Sequence, residues 1–235
     1  MKKSYYLLIL PAFLLSFTRK TDVKPDIKKI KPNKQQYLIY TQKGDKVNLL
    51  SYLQRTIKDT IYNNKPALLC VQRYDQLKGT DFDSCFLNKT TMFPLEYRAI
   101  VGNQKEHFVF SNGKVVGKVT EKDSVINKVD EVFETGVYNS VAELELIESL
   151  PLKLNLEYKT RLINPGYPVS NTTLKVIAEE NVIFNGNTIP CWVVLGLHNN
   201  STTGAKYWIA KASGQLQKQF FQLKNGTQWW KVRTA

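Results

Sequence analysis

The sequence predicts an α+β fold, a single large curved antiparallel sheet with two helices, on three observations. Turn pairs that tolerate positive φ recur between apolar runs, at Asn112-Gly113, Asn185-Gly186, Ser213-Gly214 and Asn225-Gly226. The segment LKLNLEYK sends Leu152, Leu154, Leu156 and Tyr158 to one side and Lys153, Asn155, Glu157 and Lys159 to the other, as a strand with one dry face requires. Two further stretches carry apolar residues near a helical repeat. The 235 residues, 43% hydrophobic and 23% charged, suit a single globular domain.

In chain order, MKKSYYLLILPAFLLSFTRK places Lys2 and Lys3 before an apolar run from Tyr5 to Phe17, then Arg19 and Lys20. That is the charge order of a secretory signal peptide. The run is short of the roughly 20 residues that a membrane span needs, and Pro11 interrupts it. Residues 1–18 are therefore expected to direct export, leaving the protein in the periplasm or secreted. Residues 19–40 read as a basic flexible linker, with Pro25 and Pro32 opposing a helix. Seven basic residues against Asp22 and Asp26 fall within 19–34, an expected contact with an anionic membrane surface. With Lys2 and Lys3 also set aside, the formal +13 leaves +6 for the rest, an ordinary soluble surface that gives no argument for nucleic acid.

Residues 41–235 form the expected curved-sheet domain. Asp45 to Tyr62 spaces Val47, Leu50, Leu53, Ile57 and Ile61 as an amphipathic helix would. Ala67 to Arg73 reads as a strand, and His107–Phe110 with Lys114–Val119 as a hairpin. NSVAELELIESL reads as the second helix, with Asn139 or Ser140 able to cap it. Leu174–Glu179, Val182–Phe184, IPCWVVLGL, AKYWIAK, QLQKQFFQL and WWKVR complete the strands. The glycines sit in two-residue turns and never as GxGxxG after a strand, which disfavours a dinucleotide fold.

No compact catalytic motif accompanies this pattern. A hydrolase would have to use His107 or His198, and no GxSxG places a nucleophile. Asp81 with Asp83, and Glu143 with Glu145, read as solvated acids on turns and a helix surface. Cys70, Cys85 and Cys191 lack zinc-ligand spacing; Cys70 and Cys85 either bridge adjacent strands or, with Cys191, act as small buried hydrophobes. The expectation is a non-enzymatic protein with no cofactor and no metal.

Large aromatics are spread over the strands, and neighbours such as Tyr207-Trp208 and Trp229-Trp230 must point to opposite faces. A concave apolar surface beneath such a sheet suits an acyl chain. Its candidate lining residues are Phe108, Phe110, Leu154, Leu156, Tyr158, Trp192, Tyr207 and Trp208.

A family resemblance adds to this. The run VAELELIESLPLKLNLEY, then Cys191, Trp192 and Val193, then Trp208, Ile209, Lys211, Gly214 and Leu216 closing a hairpin, resembles the DUF3108-like exported bacterial proteins. Those are similar in fold to the LolA/LolB lipoprotein carriers. The resemblance implies a half-open barrel with helices on its concave side, and a part in handling lipid or acylated protein in the periplasm. It brings no catalytic residues, and no cysteine follows the leader to carry a lipid. The expected function is a periplasmic binding or carrier protein for an apolar ligand, lipid or lipoprotein acyl chains. The alternative is a structural or protein-interaction module of the cell envelope.

Overall fold

The computed structural model describes residues 19–22, 24–77, 79–199, 201 and 203–234, with the side chains of 19–22 left aside. The expected signal peptide, 1–18, lies outside the described residues. Sixteen strands follow one another: β1 (Arg19–Asp22), β2 (Asn33–Lys43), β3 (Lys46–Tyr62), β4 (Lys65–Gln76), β5 (Gly79–Asn88), β6 (Pro94–Val101), β7 (Gln104–Ser111), β8 (Lys114–Glu121), β9 (Ser124–Val132), β10 (Val137–Asn139), β11 (Leu156–Ile163), β12 (Ser170–Phe184), β13 (Asn187–His198), β14 (Ala205–Ala210), β15 (Leu216–Gln222) and β16 (Gln228–Arg233). One short helix, α1 (Glu143–Ser149), lies between β10 and β11.

All strands join one sheet in the order β1-β11-β12-β13-β14-β15-β16-β2-β3-β4-β5-β6-β7-β8-β9, with β10 also on β11. β1 and β10 pair with β11 in parallel, while the other ladders are antiparallel.

Two expectations about this architecture are overturned. The half-open barrel similar to LolA/LolB, and with it the lipoprotein-carrier reading, gives way to an open sheet: its hydrogen-bonded path ends at β1 and β9 and does not close into a barrel. The helices expected on a concave side reduce to the seven residues of α1 and two 3-10 turns. The supposed helix from Asp45 to Tyr62 is the 17-residue strand β3. Its apolar spacing fits both periods, and two other features decide. Ser51, Leu53, Arg55 and Ile57 are buried alternately, and Asn63 and Asn64 both adopt positive φ, which turns β3 directly back into β4. Residues 33–40, read as the end of a linker, form most of β2, paired with β16 on one side and β3 on the other. LKLNLEYK does not run as one strand: Asn155 sits at φ 64, Leu154 is exposed, and β11 begins only at Leu156.

The Asn139 side chain accepts a hydrogen bond from Val141 N at 2.7 Å, capping a 3-10 turn that leads into α1. α1 then lies on one face of the sheet. Leu146 joins a core made with β4–β9, β10 and β11, while Leu144, Ile147 and Leu150 join a second core with β2, β3 and β11–β15. Each such aliphatic side chain contributes about 1.5–3 kcal/mol on burial, which offsets the weak intrinsic stability of so short a helix. A third, smaller cluster of Cys191, Val193, Trp208 and Ala210 lies apart from both.

Candidate functional site

Alternation along the paired strands sets two rows of side chains on the face that carries α1. From the registers, Gln35 stands opposite Arg55, Arg55 opposite Gln72, and Gln72 opposite Asp83. On the other side, Ile39 stands opposite Lys231, Lys231 opposite Gln219, and Gln219 opposite Tyr207. Two rows, four residues apart on β2, thus place polar groups on the face that carries the two larger cores, and α1 adds Glu143, Glu145 and Glu148 to them.

The β2–β3 end of the first row is closed off. Arg55 is 1% exposed and donates to Glu145 Oε1 at 2.9 Å, to Gln35 Oε1 at 2.5 Å and to Glu148 Oε2 at 3.3 Å. Glu148 also accepts from Leu216 N at 2.9 Å, and Tyr37 Oη donates to Gln35 at 2.7 Å. Burial works to discharge the guanidinium, but Glu145 and Glu148 outweigh it and hold the Arg55 pKa well above its usual value. Burial likewise pushes the Glu148 carboxyl up. This cluster ties α1 to β2, β3 and β15.

Three other charged groups on this face keep contact with solvent: Lys231, Asp83 and Glu143. Lys231 is half-buried and has no hydrogen bond or ion pair among the described residues; its Nζ lies 5.7 Å from the centre of the Trp229 ring. Desolvation, with Arg55 adding to it, pulls Lys231 down to about 8. Desolvation pushes Asp83 up to about 7 and also raises Glu143. All three keep some exposed surface while protein surrounds them. Glu143 accepts from Tyr207 Oη at 3.0 Å and lies 3.6 Å from His198 Nε2, and His198 Nδ1 is 2.9 Å from Thr172 Oγ1. Glu143, His198, Tyr207, Gln219 and Phe221 line a cavity of about 620 Å³ at this end of α1.

These shifts fix a pH dependence. Asp83 takes up its proton more readily folded than unfolded, so its contribution is full below about 4 and is lost as pH rises through about 7. Lys231 has the opposite sense: its cost is full below about 8 and disappears as pH rises toward 10.5. Urea denaturation across pH 5–8 is expected to show stability falling toward neutrality, with the fall flattened in Asp83→Asn. An unchanged slope in that variant would remove Asp83 as its source.

The eight side chains expected to line one apolar cavity are dispersed. Phe108 and Phe110 belong to the core of β4–β11, where Phe110 also borders a cavity of about 290 Å³ with Phe93 and Phe133. Leu156, Tyr158, Trp192 and Tyr207 belong to the second core, Trp208 to the third cluster, and Leu154 is exposed. Only Tyr207 reaches the 620 Å³ cavity, while Trp192 lines another of about 530 Å³. Glu143 and Glu145, read as solvated, are 17% and 1% exposed. Lys231 was legible in WWKVR, since it alternates with Trp230 and so shares a face with Trp229.

Of the histidines, His107 sits half-exposed 2.7 Å from Glu96, which also pairs with Arg98. Cys70 and Cys85 face each other across β4 and β5 as free, buried thiols, and Cys191 is free and buried as well. Burial pushes all three thiols up, the reverse of an activated nucleophile. No group of three or more potential metal ligands occurs among the described residues.

The fold matches the crystal structure of a beta-barrel-like protein of domain of unknown function DUF1849 from Brucella abortus, with a TM-score of 0.53 at 12% identity over 87% of this chain and 96% of that one. The hypothetical lipoprotein YmcC from Escherichia coli matches with a TM-score of 0.31 at 9% identity, over 85% of this chain and 86% of that one. No curated protein matches the sequence. The model of the family described as protein of unknown function (DUF3108) matches residues 36–227.

Proposed function

We propose, for a chain that belongs to the DUF3108 family, the role of a non-enzymatic binding protein of the bacterial cell envelope, exported to the periplasm, whose ligand joins an acidic group to an apolar body. The observation that carries this reading is Lys231, a half-buried ammonium beside Trp229 with no hydrogen bond or ion pair among the described residues. A partly desolvated charge without a counter-ion costs stability, so a group that answers it from outside the chain explains its place. The neighbouring carboxyls suit an acidic guest. Burial pushes Asp83 up to about 7 and raises Glu143, which lessens the repulsion that fully ionised carboxylates would offer such a guest. Trp229 and Phe221, side by side with ring centres 5.2 Å apart, offer apolar surface beside Lys231. The expected apolar guest thus gains an acidic end.

Titration with oleate, followed by tryptophan fluorescence and native mass spectrometry, is expected to show one bound molecule per chain. Lys231→Met is expected to weaken binding about 10- to 100-fold, the range of a charge-assisted hydrogen bond, while raising stability by about 1 kcal/mol through loss of the unpaired ammonium. Oleate bound equally by Lys231→Met, or not taken up by the unsubstituted protein, would reject the reading.

A further inference from the structure

A second cavity, of about 530 Å³, opens at the other end of α1 from Glu143, and its chemistry is different. Lys28, Lys29 and Lys31, from the segment before β2, meet Lys211 from the turn between β14 and β15. Trp192, Leu152 and Ile209 supply the apolar part of the lining.

Two of the four ammonium groups are engaged. Lys29 Nζ donates to Leu150 O at 2.7 Å, which anchors the basic segment to the end of α1, and Asp26 N donates to Ser149 O at 3.0 Å beside it. Lys211 pairs with Glu179, and its Nζ lies 4.1 Å from the centre of the Trp192 ring. Lys28 and Lys31 are exposed and have no ion pair among the described residues. Glu148 borders the cavity, but its carboxylate is taken up by Arg55 and the Leu216 amide and leaves the lysines unneutralised. The segment is also held in shape: Asp26 caps a 3-10 turn over Ile27–Lys29, and buried Ile30 pins it to the core. A basic rim over an aromatic and aliphatic floor complements an anion attached to an apolar body.

We propose that this cavity is the seat of a phosphate-bearing lipid headgroup at a membrane surface, with the phosphate among Lys28, Lys31 and Lys211 and the glycerol end against Trp192 and Leu152. The site is separate from Lys231 and its surroundings, and each proposal can fail without the other.

The test uses the full chain and vesicles of phosphatidylcholine with and without phosphatidylglycerol. Co-sedimentation is expected with the phosphatidylglycerol vesicles, falling as salt rises. A Lys28→Gln, Lys31→Gln, Lys211→Gln triple variant is expected to bind them on the order of a hundredfold more weakly, since each lysine near such a surface contributes about fivefold. All three are surface positions, so the circular-dichroism melting curve is expected to stay close to that of the unsubstituted protein. Lys231→Met is expected to co-sediment as the unsubstituted protein does. The proposal is overturned if the triple variant binds as tightly, if phosphatidylcholine alone binds as well, or if soluble glycerol phosphate is bound as tightly as the vesicles.

Discussion

Replacing Arg55 by methionine is expected to destabilise the protein by about 3–5 kcal/mol, the cost of leaving buried charges without their partner. The guanidinium reaches Glu145, Glu148 and Gln35, and all four residues are 5% exposed or less. Methionine fills much of the volume, so the loss reports the stranded carboxylates rather than a void. Two further measurements separate these causes. In Arg55→Met, Glu148, raised by burial and now without its cation, binds a proton more readily folded than unfolded, so the deficit is expected to shrink as pH falls toward 4 and to be complete at neutral pH. A triple variant with Glu145→Met and Glu148→Leu added is expected to recover most of the stability, because a packed apolar set removes the stranded charges. Urea denaturation reads all three. A loss under about 1 kcal/mol in the single variant would mean that the cluster is not what ties α1 to β3.

Gly117→Ala is expected to cost about 3 kcal/mol, from overpacking rather than from backbone strain. Gly117 stands opposite Phe108 in the β7–β8 ladder, and Phe108 is 1% exposed with Tyr97 stacked on it at 6.2 Å. A Cβ at residue 117 would lie 2.1 Å from the His107 carbonyl oxygen and 2.5 Å from Phe108 Cδ1. The first contact is with backbone and cannot be relieved by a rotamer change, so the two strands must separate. A melting-temperature fall of about 6–12 °C is the expected readout. Val116→Ala, on the exposed neighbour, serves as the comparison at about 0.5 kcal/mol or less. Equal effects at the two positions would dispose of the steric account.

The strands were more legible than their closure. Each Asn-Gly or Ser-Gly pair marked a real reversal, because positive φ is a local demand that local residues meet, and Gly113, Gly186, Gly214 and Gly226 all adopt it. β3 was misread because Leu53 and Ile57 satisfy a helical spacing as well as a strand spacing, and Asn63-Asn64 is a less familiar turn pair than Asn-Gly. The open sheet could not be read at all, since no residue announces that β16 will pair with β2. The site failed for a related reason. An acid on a helix reads as solvated until the helix is seen to be buried on every side, and Arg55, the partner that makes Glu145 tolerable there, lies 90 positions earlier. Lys231 was the exception, recoverable by counting alternate residues from Trp229.

The pairing of β16 with β2 also orders events in time. Among the described residues, the strands from β2 to β9 and those from β11 to β16 share one backbone ladder, that of β16 with β2, in which Arg233 meets Tyr37. A chain made from its amino terminus can assemble the first meander early, yet β2 must wait with one edge bare until β16 has been synthesised. An unpaired edge of this kind invites other strands. Chaperone escort through that interval, and intolerance of any truncation that removes β16, are the expected biological consequences of where this sheet is sewn together.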